Sequence, residues 1–114
     1  MSPDAFGIAI RDVPGAHVIS LTGEFDLAVA HQFLERAVEL TGATVVVDLS
    51  ALAFMDSSGI AALVRARNHQ AEQGNLLVLV GPVGIVERAL DVVGLSDWIT
   101  EWAPEWSEGT DQSS

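Results

Sequence analysis

The sequence contains no cysteine, no lysine and no tyrosine. Without thiols there are no disulfides, no thiolate metal sites and no thiol nucleophile, though this says nothing firm about redox compartment. Without lysine there is no Gly-Lys-Ser/Thr phosphate loop, so Gly81-Pro82-Val83-Gly84 reads as turn chemistry before a helix. Basic residues of any kind are scarce. Arg11, Arg36, Arg65, Arg67 and Arg88 stand against 16 acidic residues, for a net charge of −11. They form no continuous run, which argues against direct nucleic-acid binding, and the charge disfavours an anionic membrane surface. Long apolar runs are also missing. Leu76 to Val86 is broken by Gly81-Pro82 and Gly84, short of the roughly 18 residues of a membrane span. Met1-Ser2-Pro3-Asp4 has no basic stretch ahead of an apolar one. No signal peptide is expected, and the cytoplasm is the default location.

What is present is a hydrophobic content of 49% and a positive mean hydropathy over 114 residues, enough for one core. A folded domain is expected over residues 1–103, with a flexible acidic tail over 104–114. Phe6, Ile8 and Ile10 alternate with small or polar residues in a first strand ending at Val13. Pro14-Gly15 is a turn, and His17 to Thr22 is a second strand, so an antiparallel hairpin is predicted. Gly23 to Asp26 reads as a loop, with Asp26 as N-cap of a helix whose apolar face is Leu27, Ala30, Phe33, Leu34, Ala37 and Val38. Thr44 to Leu49 is a third strand. Its Val45-Val46-Val47 run does not alternate, which places it centrally with both faces covered. After a connection over 50–57, a second helix presents Ile60, Leu63, Val64 and Ala71 inward, and Arg65, His69 and Glu72 outward, with Gly74 at its C-cap. Asn75 to Val80 is a fourth strand. Pro82 suits the first turn of a third helix with an inner stripe of Val83, Val86, Ala89, Leu90 and Val93, and Ser96 to Trp102 adds a short edge strand.

This order predicts an α/β domain with a mixed sheet of four to five strands, an N-terminal antiparallel hairpin and then parallel β-α units. Right-handed crossovers that step one way put the helices on one sheet face. The connections at 23–26 and 50–57 then share one edge, which makes Asp26 and Ser57 neighbours.

The stretch that joins the third strand to the second helix carries the chemistry. Asp56-Ser57-Ser58-Gly59 has two readings. In one, Asp56 or Ser57 caps the helix and Gly59 permits close packing. In the other, Ser57 is a phosphoacceptor whose added charge the helix end favours and Asp56, Asp26 and Glu24 oppose. A nucleophilic serine needs a base within hydrogen-bond reach. His17, His31 and His69 fall too far along their elements, and there is no Gly-x-Ser-x-Gly elbow, so no enzyme is expected. Glu24, Asp26, Asp48 and Asp56 would suit Mg²⁺ only if they converged, and capping and solubility explain them better. No metal and no cofactor are expected. Trp98, Trp102 and Trp106 recur every four residues, but Pro104 interrupts a continuous helix. They read as aromatics that close the open end and edge of the core.

Val45-Val46-Val47-Asp48-Leu49-Ser50 followed by Phe54-Met55-Asp56-Ser57-Ser58-Gly59-Ile60 resembles the STAS domains of bacterial anti-sigma factor antagonists. The similarity includes Leu21 to Asp26, the Gly74-to-Val80 strand and Val93-Gly94-Leu95, over about residues 6 to 100. The C-terminus departs from the pattern, with Pro104 and an acidic Ser/Gly stretch where members often continue into a further helix. The resemblance implies partner switching. The unphosphorylated protein would bind an anti-sigma factor that is also a serine kinase, freeing a sigma factor for transcription. Phosphorylation of Ser57 by that kinase would end binding, and a PP2C-type phosphatase would restore it. The docking surface expected on this basis is Gly23, Glu24, Phe25 and Asp26, then Met55, Asp56, Ser57, Ser58 and Gly59, then Ala62 and Arg65 on the outer face of the second helix. The alternative is a constitutive STAS interaction module, in a lipid-transport or signalling complex, with Ser57 only a cap.

Overall fold

A computed structural model describes residues 5–100. The strands are β1 (Gly7–Val13), β2 (Ala16–Phe25), β3 (Thr44–Met55), β4 (Leu77–Val80) and β5 (Ile99–Thr100). The helices are α1 (Leu27–Ala37), α2 (Ser57–Glu72) and α3 (Gly84–Val92). The strands lie in sequence order, with β1 antiparallel to β2 and every later pair parallel. Pro14-Gly15 makes the hairpin turn, with Gly15 at φ +82°, a conformation that glycine adopts without steric cost.

The helices share one face of the sheet. Phe33 and Ala37 of α1, Leu63 and Ala66 of α2, and Val86 and Leu90 of α3 join Ile19, Leu21, Val45, Val47, Leu49, Leu77 and Leu79 in one buried cluster. On the opposite face Ala16, Val18, Val46 and Val80 form a second, smaller cluster, drawn among the described residues from strands. The Val45-Val46-Val47 run thus feeds both faces, as its lack of alternation predicts.

Two strands run further than expected. β2 continues through Phe25 and β3 through Met55, so the segments read as loops at 23–26 and 50–57 are mostly strand. Ser20 pairs with Asp48 but Thr22 with Ala51, and Gly23 pairs with Leu52 but Glu24 with Phe54. At each shift β3 carries one extra residue, a bulge. The bulges replace period two with period three, and Leu49, Leu52 and Met55 all stay buried. Asp48 Oδ1 accepts the Ser50 N–H at 3.0 Å beside the first bulge.

Smaller corrections concern the helix ends. Leu27 is 75% exposed and does not join the inner face of α1, because it occupies the first helical position beyond the edge of the sheet. Pro82 is buried ahead of α3 and not in its first turn, and Val83 is the N-cap without a side-chain bond. Val83 and Val93 flank α3 and are exposed, leaving Val86 and Leu90 as its buried stripe. Ala71 is exposed, and its expected place is taken by Gln70. The buried Gln70 amide donates to the Ala37 and Leu40 carbonyls at 2.9 Å and accepts from Asn75 Nδ2 at 3.0 Å. It ties the C-terminal ends of α1 and α2 together with its polar atoms satisfied. Half-buried Trp98 packs on the main cluster with the Arg67 guanidinium 4.5 Å over its ring. Trp102, Trp106 and the expected tail lie outside the described residues.

Candidate functional site

The site begins with Phe25. Its ring is fully buried, stacked on Phe6 at 5.5 Å and edge-on to Phe33 at 5.1 Å. Its backbone pairs with Met55, so β2 and β3 end side by side. Each then turns directly into a helix. Asp26 caps α1, its Oδ1 accepting the Ala28 N–H at 3.1 Å. Asp56 caps α2, its Oδ1 accepting from Ser58 N at 2.8 Å and Gly59 N at 3.1 Å. The Asp56 N–H itself donates to the Phe25 carbonyl at 3.2 Å. The two helix starts are thereby locked to each other, as the topology predicts for Asp26 and Ser57.

Gly59 completes the lock. A Cβ at this position would lie 2.6 Å from the Phe25 carbonyl oxygen and 3.0 Å from Met55 Cγ. Only a residue without a side chain lets the first turn of α2 sit this close to β2. The close-packing role expected of Gly59 is what the backbone requires.

Of the two candidates for the cap, Asp56 takes the role. Ser57 is the first residue of α2 and its side chain is exposed. Ser58 is half-buried and turns toward α1, where it lines a groove of about 270 Å³ with Leu27, Ala30, His31, Leu34, Ala61, Ala62 and Arg65. The expected docking residues divide in two. Glu24, Ser57 and Arg65 are exposed, and Asp26, Asp56 and Ser58 half-buried. Gly23, Phe25, Met55, Gly59 and Ala62 are buried and form the base on which the others stand. Ala62 is 3% exposed and faces α1, so it is not on the outer face of α2. Leu27, His31 and Leu34 line the same groove and were not singled out as a group from the sequence. The signal for Leu27 was present: a large apolar residue directly after an N-cap sits at the helix tip.

The other candidate groups are dispersed. Among the described residues no three His, Asp or Glu side chains are placed to hold a metal ion. Asp26, Asp48 and Asp56 each serve their own turn. His31 shares the groove with Ser58, and its Nε2 meets Glu35 at 3.0 Å. His17 lies at the far end of the sheet. Its Nδ1 is 2.7 Å from Asp12 Oδ1 and its Nε2 2.7 Å from the Thr41 carbonyl. Both partners are acceptors, which favours the doubly protonated ring, and the Asp12 bond chiefly raises the His17 pKa above its ordinary 6.5. Among the described residues no helix is long and apolar enough to cross a membrane.

A mixed sheet in sequential order, helices on one face and an Asp-Ser-Ser-Gly helix start at the strand-end edge together define a STAS-type α/β domain. The family model described as "Mlab, STAS domain" matches residues 8–101, and the chain belongs to that family. Among solved structures, an anti-sigma factor antagonist from Mycobacterium paratuberculosis is similar at 23% identity and TM-score 0.76, over 89% of this chain and 88% of that one. The anti-sigma factor antagonist SpoIIAA in its unphosphorylated form is 27% identical at TM-score 0.67, over 87% and 89%. Its phosphorylated form, from Bacillus, is 22% identical at TM-score 0.64, over 87% and 92%. A murine anion transporter, Slc26a9, matches at 20% identity and TM-score 0.64, over 76% of this chain and 15% of the transporter. No curated protein matches the sequence.

Proposed function

We propose that this protein is a cytoplasmic, non-enzymatic anti-sigma factor antagonist, switched by phosphorylation of Ser57. Unphosphorylated, it binds an anti-sigma factor that is also a serine kinase. Phosphorylated, it releases that partner, and a PP2C-type phosphatase resets it. The observation that carries the reading is the division of labour at the start of α2. Asp56 satisfies the Ser58 and Gly59 N–H groups, which leaves Ser57 exposed with no capping duty.

This arrangement suits a switch. The Ser58 and Gly59 N–H groups are already taken by Asp56, so a phosphate on Ser57 gains the helix-end field but does not fold back onto those two groups. It stays outward, beside the Asp56 carboxylate, and adds roughly −1.5 to −2 charges. The fold is left intact while the docking surface changes charge and bulk. That surface consists of Glu24, Asp26, Asp56, Ser57, Ser58 and Arg65, held by buried Gly23, Phe25, Met55, Gly59 and Ala62. A partner that buries this edge must desolvate whatever stands on Ser57, and an unpaired dianion there is costly. The known occurrence of SpoIIAA in phosphorylated and unphosphorylated forms supports the same reading.

The test is intact-mass spectrometry with site mapping after incubation with ATP and the candidate kinase. One added phosphate, absent in Ser57→Ala, is the expected result. Stable complex formation without phosphate transfer would instead support the second reading, a constitutive STAS module with Ser57 only an exposed helix-start residue.

A further inference from the structure

β1 stands at one edge of the sheet and, among the described residues, pairs only with β2. Its outer side is a run of backbone donors and acceptors, the kind of edge that templates another strand. Natural edge strands are blunted by a lysine, a proline or a bulge. β1 has none of these. Its sequence, Gly7 to Val13, contains neither residue, and its register with β2 runs without a shift from Gly7↔Thr22 to Val13↔Ala16.

We propose that β1 pairs antiparallel with β1 of a second copy of this chain, with Ala9 facing Ala9 across a two-fold axis. The hydrogen-bond phase narrows the register first. Val13 and Ala16 close the two-residue Pro14-Gly15 turn and so form a hydrogen-bonded pair, and such pairs alternate with non-bonded ones along the ladder. Arg11, Ala9 and Gly7 therefore aim their backbone groups at β2, and Asp12, Ile10 and Ile8 aim theirs outward. Asp12 and His17, with side chains 2.7 Å apart, fit the closer, non-bonded kind of pair. Outward groups must meet outward groups, so the axis falls on a residue and not between two. Side chains select which residue. An axis at Arg11 opposes two guanidiniums, one at Ile10 sets Ile8 against Asp12, and one at Ile8 pairs only Gly7, Ile8 and Ala9 of the strand. An axis at Ala9 pairs Gly7 to Arg11 and matches Ile8 with Ile10 of the second copy twice, on the face where both already border the main core. Gly7 then leaves room beside Arg11. Charge favours the same place. At −11 per chain most of the surface repels a second copy, whereas β1 holds one arginine and one aspartate and is neutral. The two sheets become one, with the helices of both copies on the same face. Because the paired strands run antiparallel, the two α1/α2 edges point to opposite ends, and both stay open to partners. The inference is independent of Ser57.

Ala9 is exposed, so substitutions there probe the pairing without burdening the core. In sedimentation equilibrium of the full chain at physiological salt, wild type should show a concentration-dependent dimer. Ala9→Arg and Ala9→Glu should each weaken it several-fold, because like charges then meet at the axis, with Tm within a few degrees of wild type. An equimolar mixture of the two variants should restore association to near wild-type strength. Only pairing of Ala9 with Ala9 gives that rescue. A wild type that stays monomeric up to millimolar concentration overturns the proposal. So does a dimer that both single variants leave intact, or a mixture that stays monomeric. The absence of native cysteine allows a second arm. With added oxidant, Ala9→Cys should form a disulfide dimer several-fold faster than Asp12→Cys, whose two copies lie about 20 Å apart in this register. Equal rates overturn the proposal. Ser57 phosphorylation, read in the Ala9→Arg chain, tests the switch separately.

Discussion

The starts of α1 and α2 are built alike and display different things. Each follows directly on a strand end, Phe25 or Met55, and each is capped by an aspartate, Asp26 or Asp56. In each, the first helical residue is exposed: Leu27 at α1 and Ser57 at α2. The difference lies in how firmly each is held. Asp26 accepts one cap bond, whereas Asp56 accepts two, and the α2 start is further pinned by Asp56 N to Phe25 O and by the Gly59 contact. The start that carries the exposed Ser57 hydroxyl is the one with more contacts holding it. The proposed switch needs that: charge added at a fixed point alters binding, whereas charge added to a frayed end is absorbed locally. The start of α3, with Val83 and no side-chain cap, marks the third case, a helix end with neither device.

This comparison can be broken in order of expected effect. Gly59→Ala should be the most damaging change, about 2–3 kcal/mol in urea unfolding, since its Cβ meets a carbonyl that cannot move away. A loss below half a kcal/mol would show that the α2 start is not clamped. Next, Asp56→Ala should cost about 1–2 kcal/mol and Asp26→Ala about 1 or less, following their two cap bonds and one. A reversed order would remove the distinction between the two starts. Ser57→Ala and Leu27→Ser should each change stability by no more than about 0.5 kcal/mol, because both side chains stand outside the core. Calorimetry on the purified variants checks this.

The smallest effect lies at the far end of the sheet. The His17 pKa is raised, so its stabilising contribution is complete below pH 6.5 and is lost as pH climbs through the raised folded value. Wild-type stability should fall on the alkaline side of pH 6.5, and Asp12→Asn should flatten that fall. Identical pH profiles would exclude the ion pair as the cause.

Much of this was legible in the sequence. Asp26 and Asp56 stand before amphipathic runs, and the β-β-α-β-α-β-α order leaves few topologies, so the neighbouring helix starts follow from pattern alone. The ends of β2 and β3 were not legible, because alternation is the strand signal and two bulges erase it. Ser50-Ala51 and Ala53-Phe54 look like a loop only if each strand residue must alternate. Gly23, at φ +84° inside β2, looks like a breaker for the same reason. The assignment of Ala62 to an outer face failed because α2 is covered on two sides, by the sheet and by α1. A small residue there marks helix-helix contact. Ser57 itself was ambiguous until the geometry of Asp56 was known, since two adjacent residues of equal capping propensity cannot be told apart by spacing.

The most direct measurement of the proposed switch is the affinity of a candidate anti-sigma kinase for Ser57→Ala and Ser57→Asp, determined together with the Tm of each. Ser57→Ala should bind at wild-type strength and Ser57→Asp at least about tenfold more weakly, or about 1.4 kcal/mol, with Tm values within a few degrees of each other. Equal affinities, or a loss of affinity that tracks a collapse in Tm, would contradict the switch.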